Sequence, residues 1–324
     1  MSANRQVRLR HGTAGVAGFA LHAAAPPVLV HGTFLAQVLW LGLDAFSVES
    51  AGAGSAVDEV VPAQGVARVI DSRHEVFGVG SYVVLDCGLQ ELCVSDGAHA
   101  RLLHPGQTPH SSALGVLGRP GMAAYFGLLE LAALQPGETV LVSDAADAAG
   151  ATAGQLAQLK GARALGLAAT REQCEWVRRH GRFTACLQQT PECAPRLRAL
   201  APRGIDVFFD SHGAGLPEAL AAAGVFAPRA RIVQNRVRPA DTAALHAHAP
   251  QLSVRRMDAR SYEARRGEFL REVIPWHGAG RIALREDVVE GLEAAPSHLE
   301  RTLKRLTLGR ALVRVPPRER VSGD

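Results

Sequence analysis

The strongest constraint on the fold is an alternation of strand-like and helix-like segments in the second half of the chain. The predicted strands are residues 139–143, 164–168, 185–187, 205–209 and 230–234, with predicted helices at 150–160 and 171–180. Strand, helix and strand at this spacing indicate βαβ units, which require a parallel sheet. Right-handed crossovers then give a doubly wound α/β fold, with a ligand crevice at the carboxyl ends of the strands.

The first part of the chain has a different, β-rich pattern. Its predicted strands are residues 27–30, 37–43, 65–70 and 82–85, separated by turns rich in Gly, Pro and Asp. The pattern changes near Gly118, and strand-like runs return from about Leu284, most clearly at residues 312–315. We therefore predict one domain from residues 1–118 completed by residues 285–324, and a second domain from residues 119–284.

Composition narrows the functional class. The 324 residues are 47% hydrophobic and 20% charged, which is typical of a soluble globular protein. The longest apolar runs are too short to cross a membrane, so we expect a cytoplasmic protein with no membrane partner. Acidic residues interrupt the basic residues of segment 255–266, which argues against nucleic-acid binding.

The cysteines favour neither a metal site nor a disulfide framework. Five are present, at positions 87, 93, 174, 186 and 193, and none forms a C-x-x-C pair. Reduced, mostly buried thiols are the expected state, and we predict no metal ligand.

Several motifs spread along the chain resemble one known family. They are residues 113–129 (ALGVLGRPGMAAYFGLL), 134–140 (LQPGETV), 154–161 (GQLAQLKG), 204–210 (GIDVFFD) and 285–292 (REDVVEGL). In this order they resemble the zinc-independent medium-chain dehydrogenase/reductases, in the branch of NADPH-dependent alkenal, enone and prostaglandin (leukotriene B4 dehydrogenase-like) reductases. The resemblance covers nearly the whole chain.

This resemblance implies a fold, a cofactor and an assembly. It implies a GroES-like β-rich domain completed by the C-terminal tail, and a Rossmann domain with a doubly wound parallel sheet. It also implies NADP as cofactor, a small-molecule substrate, a homodimer and no catalytic zinc.

The phosphate-binding loop departs from the family pattern. The family loop reads roughly Ser-Ala-Ala-Ala-Gly-Ala-Val-Gly, whereas residues 143–150 here read SDAADAAG. Gly150 and Gly154 are retained, Asp147 replaces the first glycine, and Asp144 adds a second carboxylate. Like charges about 4 Å apart repel by about 4 kcal/mol at an intermediate dielectric, so Asp147 could oppose a diphosphate. Alternatively, Asp147 turns outward or caps the following helix.

Other positions that the family uses for its cofactor are also changed. The lysine for the 2′-phosphate aligns with Gln173, although the nearby Arg171 could replace it. The remaining predicted cofactor positions align with Gln189, with the Gln234-Asn235 pair and with Thr307. In the substrate cleft, the family's Tyr-Met-Arg aligns with residues 46–48 (FSV), and the chain is shortened between residues 236 and 254. These changes leave two alternatives, a bound NADP or no cofactor.

One gained residue suggests a different chemistry. His212 follows a predicted central strand, so it could face the same crevice as Asp144 and Asp147 and form a general acid–base set. A loop histidine without a role is the alternative. The family also places a tyrosine near its cleft, which aligns loosely with Tyr262.

Three functions follow from these residues. The first is the reduction of an activated C=C or C=O bond with NAD(P)H, with the proton coming from a tyrosine or water. The second is a non-redox enzyme of a specialised biosynthetic pathway, such as a cyclase, dehydratase or isomerase, that uses His212, Asp144 and Asp147. The third is a non-catalytic binding protein.

Overall fold

The computed structural model describes residues 3–11, 17–44, 58–190, 192–213, 215–235 and 242–317. The chain forms two compact units. Unit 1 contains residues Met1–Leu114 and Glu286–Asp324, and unit 2 contains Gly115–Arg285.

Unit 1 is built mainly from antiparallel strands. In chain order they are β1 (Asn4–His11), β2 (Ala17–Ala24), β3 (Phe34–Gly42), β4 (Gln64–Ser72), β5 (Tyr82–Asp86), β6 (Leu92–Ser95), β7 (Ala100–Leu102), β14 (Glu286–Glu290) and β15 (Arg310–Arg314). β1 and β2 form a hairpin, and the other seven form one sheet in the order β14-β15-β3-β4-β5-β7, with β6 also paired to β3. The last strand that the structure describes, β15, thus pairs with β3, which lies near the beginning of the sequence.

The core of unit 1 explains why β3 is central. Phe34, Ala36, Val38 and Leu41 are fully buried on this strand and join one cluster with residues of the neighbouring strands. Apolar residues with high strand propensity suit a strand that is paired on both sides. Leu299 joins the same cluster, so the C-terminal segment contributes a helix as well as strands to this core.

One predicted strand of unit 1 is wrong. Residues 27–30 are irregular, and Val28 and Val30 have 79% and 54% of their surface exposed. Pro26 and Pro27 supply no backbone N–H, which removes two of the donors that a sheet ladder would need.

Unit 2 contains a parallel sheet with the predicted topology. Its strands are β8 (Thr139–Val142), β9 (Arg163–Ala168), β10 (Ala185–Gln188), β11 (Ile205–Asp210), β12 (Phe226–Gln234) and β13 (Ser253–Arg256). Their order is β10-β9-β8-β11-β12-β13, and every pair is parallel. The direction of winding reverses between β8 and β11, so the topological switch point lies between these two strands. The predicted doubly wound α/β fold is confirmed.

Helices connect these strands. They are α1 (Arg119–Phe126), α2 (Ala148–Leu159), α3 (Arg171–Arg179), α4 (Cys193–Leu200), α5 (Leu216–Ala222), α6 (Thr242–His248) and α7 (Arg266–Gly278), and unit 1 adds α8 (Ala295–Leu303). A π-helical turn, Gly127–Leu131, extends α1, and short 3-10 turns occupy His110–Leu114, Ala259–Arg265 and Leu292–Ala294.

Burial accounts for the continuous apolar runs of the central strands. Val140, Leu141 and Val142 of β8 are all fully buried, as are Val207, Phe208 and Phe209 of β11. A strand covered by helices on both faces needs apolar residues at successive positions, unlike the alternating pattern of a one-sided sheet. These two strands therefore provide a rigid base for the loops that follow them.

Candidate active site

The loop after β8 leads directly into α2, and its last residue caps that helix. Asp147 has the extended backbone of an N-cap residue, and its Oδ1 accepts the N–H of Gly150 at 2.6 Å. A carboxylate at this position also interacts favourably with the positive end of the helix dipole. Of the two sequence-based alternatives for Asp147, the structure has the cap.

The two retained glycines serve different steric needs. A Cβ on Gly150 would lie 2.4 Å from the backbone oxygen of Asp144, so the turn closes only with glycine. A Cβ on Gly154 would lie 1.8 Å from Cζ of Phe183, so this glycine allows α2 to pack closely on its neighbours. A tight turn and close helix packing are the requirements that a dinucleotide-binding loop places on its glycines.

Asp144 has a left-handed backbone, with φ of 46°. Aspartate tolerates this region better than most residues do. Its Oδ1 lies 3.4 Å from Nδ1 of His212, and the side chains of Asp144 and His212 are only 10% and 20% exposed. The structure thus brings together two of the predicted catalytic residues, from the loops after β8 and β11.

A buried polar network holds the backbone of His212 in place. Oγ of Ser143 donates to Oδ1 of Asp210 at 3.0 Å, and the same Oγ accepts the N–H groups of Ser211 and His212. Oδ1 of Asp210 also accepts the N–H groups of His212 and Gly213. Ser143 and Asp210 are fully buried, so the turn after β11 is fixed to the end of β8.

The imidazole of His212 has a second partner on a third loop. Its Nε2 lies 3.0 Å from Nε2 of Gln189, the residue that follows β10. Because the amide nitrogen is a donor, Nε2 of His212 accepts this hydrogen bond, and Nδ1–H donates to Asp144. The sequence predicts Gln189 only as a cofactor position, so its hydrogen bond to His212 was not predicted.

The predicted 2′-phosphate residues have other contacts. Oε1 of Gln173 accepts the N–H groups of Ala169 and Thr170 at 3.0 and 3.1 Å, which completes a capping box at the start of α3. The side chain of Arg171 is 89% exposed and forms an i,i+4 ion pair with Glu175. Arg171 is therefore available to an external anion, whereas Gln173 stabilises the helix.

The other predicted positions lie in three places. Gln234 is the last residue of β12 and is buried. Nδ2 of the next residue, Asn235, donates to Oγ of Ser211 at 3.4 Å. Thr307 lies in unit 1, between α8 and β15. Residues 46–48 and 236–241 lie outside the described residues.

Tyr262 contacts a different set of residues from His212. Its hydroxyl donates to Oε1 of Glu130 at 3.0 Å, and its ring stacks on Phe126 with centroids 4.4 Å apart. Arg265 pairs with the same carboxylate. Burial and the hydrogen bond to Glu130 raise the pKa of Tyr262, so its phenol keeps its proton at neutral pH. The described structure does not join Tyr262 to Asp144 and His212.

The thiols have the predicted burial. All five cysteines are buried and unbridged. Within the described ranges there is no group of three or more His, Cys, Asp or Glu side chains placed to hold a metal ion.

A comparison with known proteins places this geometry in a family. The chain is 31% identical over 317 residues to prostaglandin reductase 1 of Bos taurus, covering 91% of this chain and 93% of the relative. The chain belongs to the zinc-independent medium-chain dehydrogenase/reductases.

Further similarities agree with this family. A sequence family described as the N-terminal domain of oxidoreductase matches residues 5–103. The NADPH-dependent curcumin reductase of Escherichia coli (strain K12) is 32% identical over 265 residues, covering 77% of this chain and 76% of the relative. The crystal structure of CurA in complex with NADPH from Vibrio vulnificus superimposes with a TM-score of 0.86 at 28% identity, covering 97% of this chain and all of that one.

The medium-chain reductase framework for a dinucleotide is present in unit 2. The N–H groups of Ala148 and Ala149 belong to the first turn of α2, which has no acceptors within the helix. The close approach at Gly150 leaves no space for a side chain, as a phosphate-binding turn requires. The carboxylates of Asp147 and Asp144 already have partners, which offsets part of their repulsion toward an anion. The loop therefore fits a dinucleotide in shape, although its charge lowers the expected affinity.

Among the helices that the structure describes, none is both long and apolar enough to cross a bilayer.

Proposed function

We propose that this protein reduces an activated C=C or C=O bond of a small organic molecule with NADPH. The observation that carries this proposal is the turn into α2 at the switch point of the parallel sheet, where Gly150 is sterically required. Relatives aligned over most of the chain are named as reductases, and one similar structure contains NADPH. The non-redox and non-catalytic alternatives are not favoured by these similarities.

Several residues of this chain would hold the cofactor. The first-turn N–H groups of Ala148 and Ala149 would bind the diphosphate, because they lie at the positive end of the helix dipole. Arg171, with its exposed guanidinium, would bind a 2′-phosphate. Gln234 and Thr307 remain predicted cofactor contacts.

When bound, NADPH supplies a hydride. Residues of the chain hold the cofactor and the substrate in place, and one of them or a water molecule donates a proton. Tyr262 is a candidate proton donor because a phenol carries its proton at neutral pH. Burial and the hydrogen bond to Glu130 raise its pKa and make it a weaker acid than a free tyrosine. To deliver this proton to a substrate, its hydroxyl would have to exchange Glu130 for the substrate as hydrogen-bond partner. Water is the alternative donor.

The domain organisation and cellular context extend the proposal. We assign a GroES-like domain to residues 1–118 with 285–324 and a Rossmann domain to residues 119–284. A homodimer in the cytoplasm is the expected state, by analogy with the family.

A cofactor titration combined with a turnover assay tests this function. We expect saturable thermal stabilisation by NADPH, and oxidation of NADPH when an α,β-unsaturated aldehyde or ketone is added. A ligand that binds only the folded state must raise the melting temperature, so the absence of any shift at about 1 mM NADPH or NADH would refute the proposal.

A further inference from the structure

The side chain of His212 joins three loops at the carboxyl edge of the unit 2 sheet. Asp144 follows β8, Gln189 follows β10 and His212 follows β11. In the sheet, β10 is separated from β11 by β9 and β8. Neighbouring strands lie about 4.8 Å apart, so the strands that carry Gln189 and His212 are about 14 Å apart at the sheet. The contact is therefore made above the ends of the intervening strands.

The hydrogen bonds of this bridge define one tautomer of His212. Nδ1–H donates to the carboxylate of Asp144, and Nε2 accepts an N–H of Gln189. A neutral imidazole has one donor and one acceptor, so both of its nitrogens are used. We call these three side chains the His212 bridge.

The backbone beneath the bridge is fixed. The N–H of His212 donates to Oγ of Ser143 and to Oδ1 of Asp210, which are both buried. These hydrogen bonds fix the backbone of His212 to the ends of the central strands. The contacts with Asp144 and Gln189 then set the direction of the imidazole ring. The His212 bridge is therefore held in place by the folded structure at the carboxyl edge of the sheet.

The bridge and a dinucleotide require the same edge of the sheet. In open α/β sheets, ligands bind outside the carboxyl ends of the strands, at the switch point. The bridge includes the loops on both sides of that point, because Asp144 follows β8 and His212 follows β11. We propose that the His212 bridge competes with the dinucleotide, so that NADPH binds only when the contact between His212 and Gln189 opens. This inference rests on the proposed function, and it adds that a contact within the protein competes with NADPH for the site.

Replacing Gln189 tests the competition most directly. The Gln189→Ala variant removes one end of the bridge and leaves the contact between His212 and Asp144 intact. We expect NADPH to bind about fivefold more tightly, because one hydrogen bond of ordinary net strength no longer has to break. Gln188→Ala is the matched control, since Gln188 is an adjacent exposed glutamine that donates to the backbone oxygen of Ala169 and takes no part in the bridge. The NADPH affinity of Gln188→Ala should equal that of the wild type.

A second measurement needs no substitution. The imidazole ¹⁵N resonances of His212 report which nitrogen carries the proton and whether each is hydrogen-bonded. We expect the cofactor-free wild-type protein to have the Nδ1–H tautomer, and its Nε2 resonance to shift when NADPH is added. Assignment uses the His212→Asn variant.

The outcomes separate this inference from the proposed function. If the wild type and Gln189→Ala bind NADPH equally, the bridge is not a competitor. Weaker binding by Gln189→Ala would also reject the competition, and it would make Gln189 an ordinary cofactor contact. An unchanged His212 resonance in saturated protein would lead to the same rejection. If neither protein binds NADPH, the proposed function fails as well. Binding by Gln189→Ala alone would support the competition most strongly.

Discussion

Asp147 accepts the N–H of Gly150 at 2.6 Å, so a carboxylate of the protein occupies the helix end at which the proposed cofactor would place its diphosphate. The same side chain thus stabilises α2, and its charge is expected to oppose an anion. These two effects can be separated, because asparagine caps a helix about as well as aspartate but carries no charge.

We therefore expect Asp147→Asn to bind NADPH at least about tenfold more tightly than the wild type, with little change in melting temperature. Asp147→Ala also removes the charge, but it should cost about 1 kcal/mol of stability through loss of the cap. Isothermal titration and thermal unfolding of both variants check this prediction. Equal NADPH affinity in Asp147→Asn and the wild type would show that the carboxylate does not oppose the cofactor.

The ion pair of Arg171 with Glu175 leads to a prediction about cofactor choice. An exposed guanidinium would recognise the 2′-phosphate, which only NADPH carries. We expect Arg171→Ala to weaken NADPH binding about tenfold and to leave NADH binding unchanged. Glu175→Ala is the control, since it releases the guanidinium and should not weaken NADPH binding. An equal loss for both cofactors would exclude Arg171 as the phosphate ligand.

Gly154 packs against Phe183 so closely that a methyl group cannot be added. Alanine would gain about 1 kcal/mol in helix propensity, but its Cβ would lie 1.8 Å from Cζ of Phe183. The clash should dominate, and we expect Gly154→Ala to lose about 2 kcal/mol of unfolding free energy. Adding Phe183→Leu should recover part of this loss. Gly267→Ala, in α7, is the control because nothing lies within 4 Å of the new Cβ.

Chemical denaturation of these variants gives the free energies. If Gly154→Ala is as stable as Gly267→Ala, α2 can shift to accept a side chain, and the packing at this position is not restrictive.

Tyr125 gives a prediction for alkaline pH. Burial, together with the nearby carboxylates of Glu272 and Glu268, raises the pKa of Tyr125 to about 12 from 10.0. Because the folded-state pKa is the higher one, the stabilisation is complete below pH 10 and is lost as the pH rises toward 12. Absorbance titration of tyrosinate should contain a late step that Tyr125→Phe removes. A single ionisation step near the ordinary value, in the folded wild type, would contradict this assignment.

The parallel sheet could be predicted because its strands are buried on both faces. Each of β8, β9 and β11 contains a run of at least three buried apolar or glycine residues, and helical patterns separate the predicted strands. The length of these runs therefore identified them as strands. No helix was predicted for α4, α5 or α7, whereas the Ala-rich stretch with His246 and His248, which forms α6, was interpreted as helical. The pattern around Cys193 includes a proline, and α7 has Pro275 inside it, which weakens the sequence signal for a helix.

The site was predictable in part. The order of the strands placed Asp144 and His212 at one edge, and the structure has them 3.4 Å apart. Whether Asp147 caps α2 depends on a side-chain rotamer, which no sequence pattern fixes. The contact between His212 and Gln189 joins residues separated by 23 positions, and it depends on the direction of an imidazole in a loop.

The position of β15 in unit 1 determines when each unit can be completed during synthesis. Unit 2 is one continuous segment, whereas the sheet of unit 1 needs residues 310–314 beside β3. During synthesis the complete unit 2 therefore leaves the ribosome while β3 still has an unfilled edge. Since domains generally fold as they emerge, the nascent chain must keep β3 from pairing with other strands until translation reaches β15.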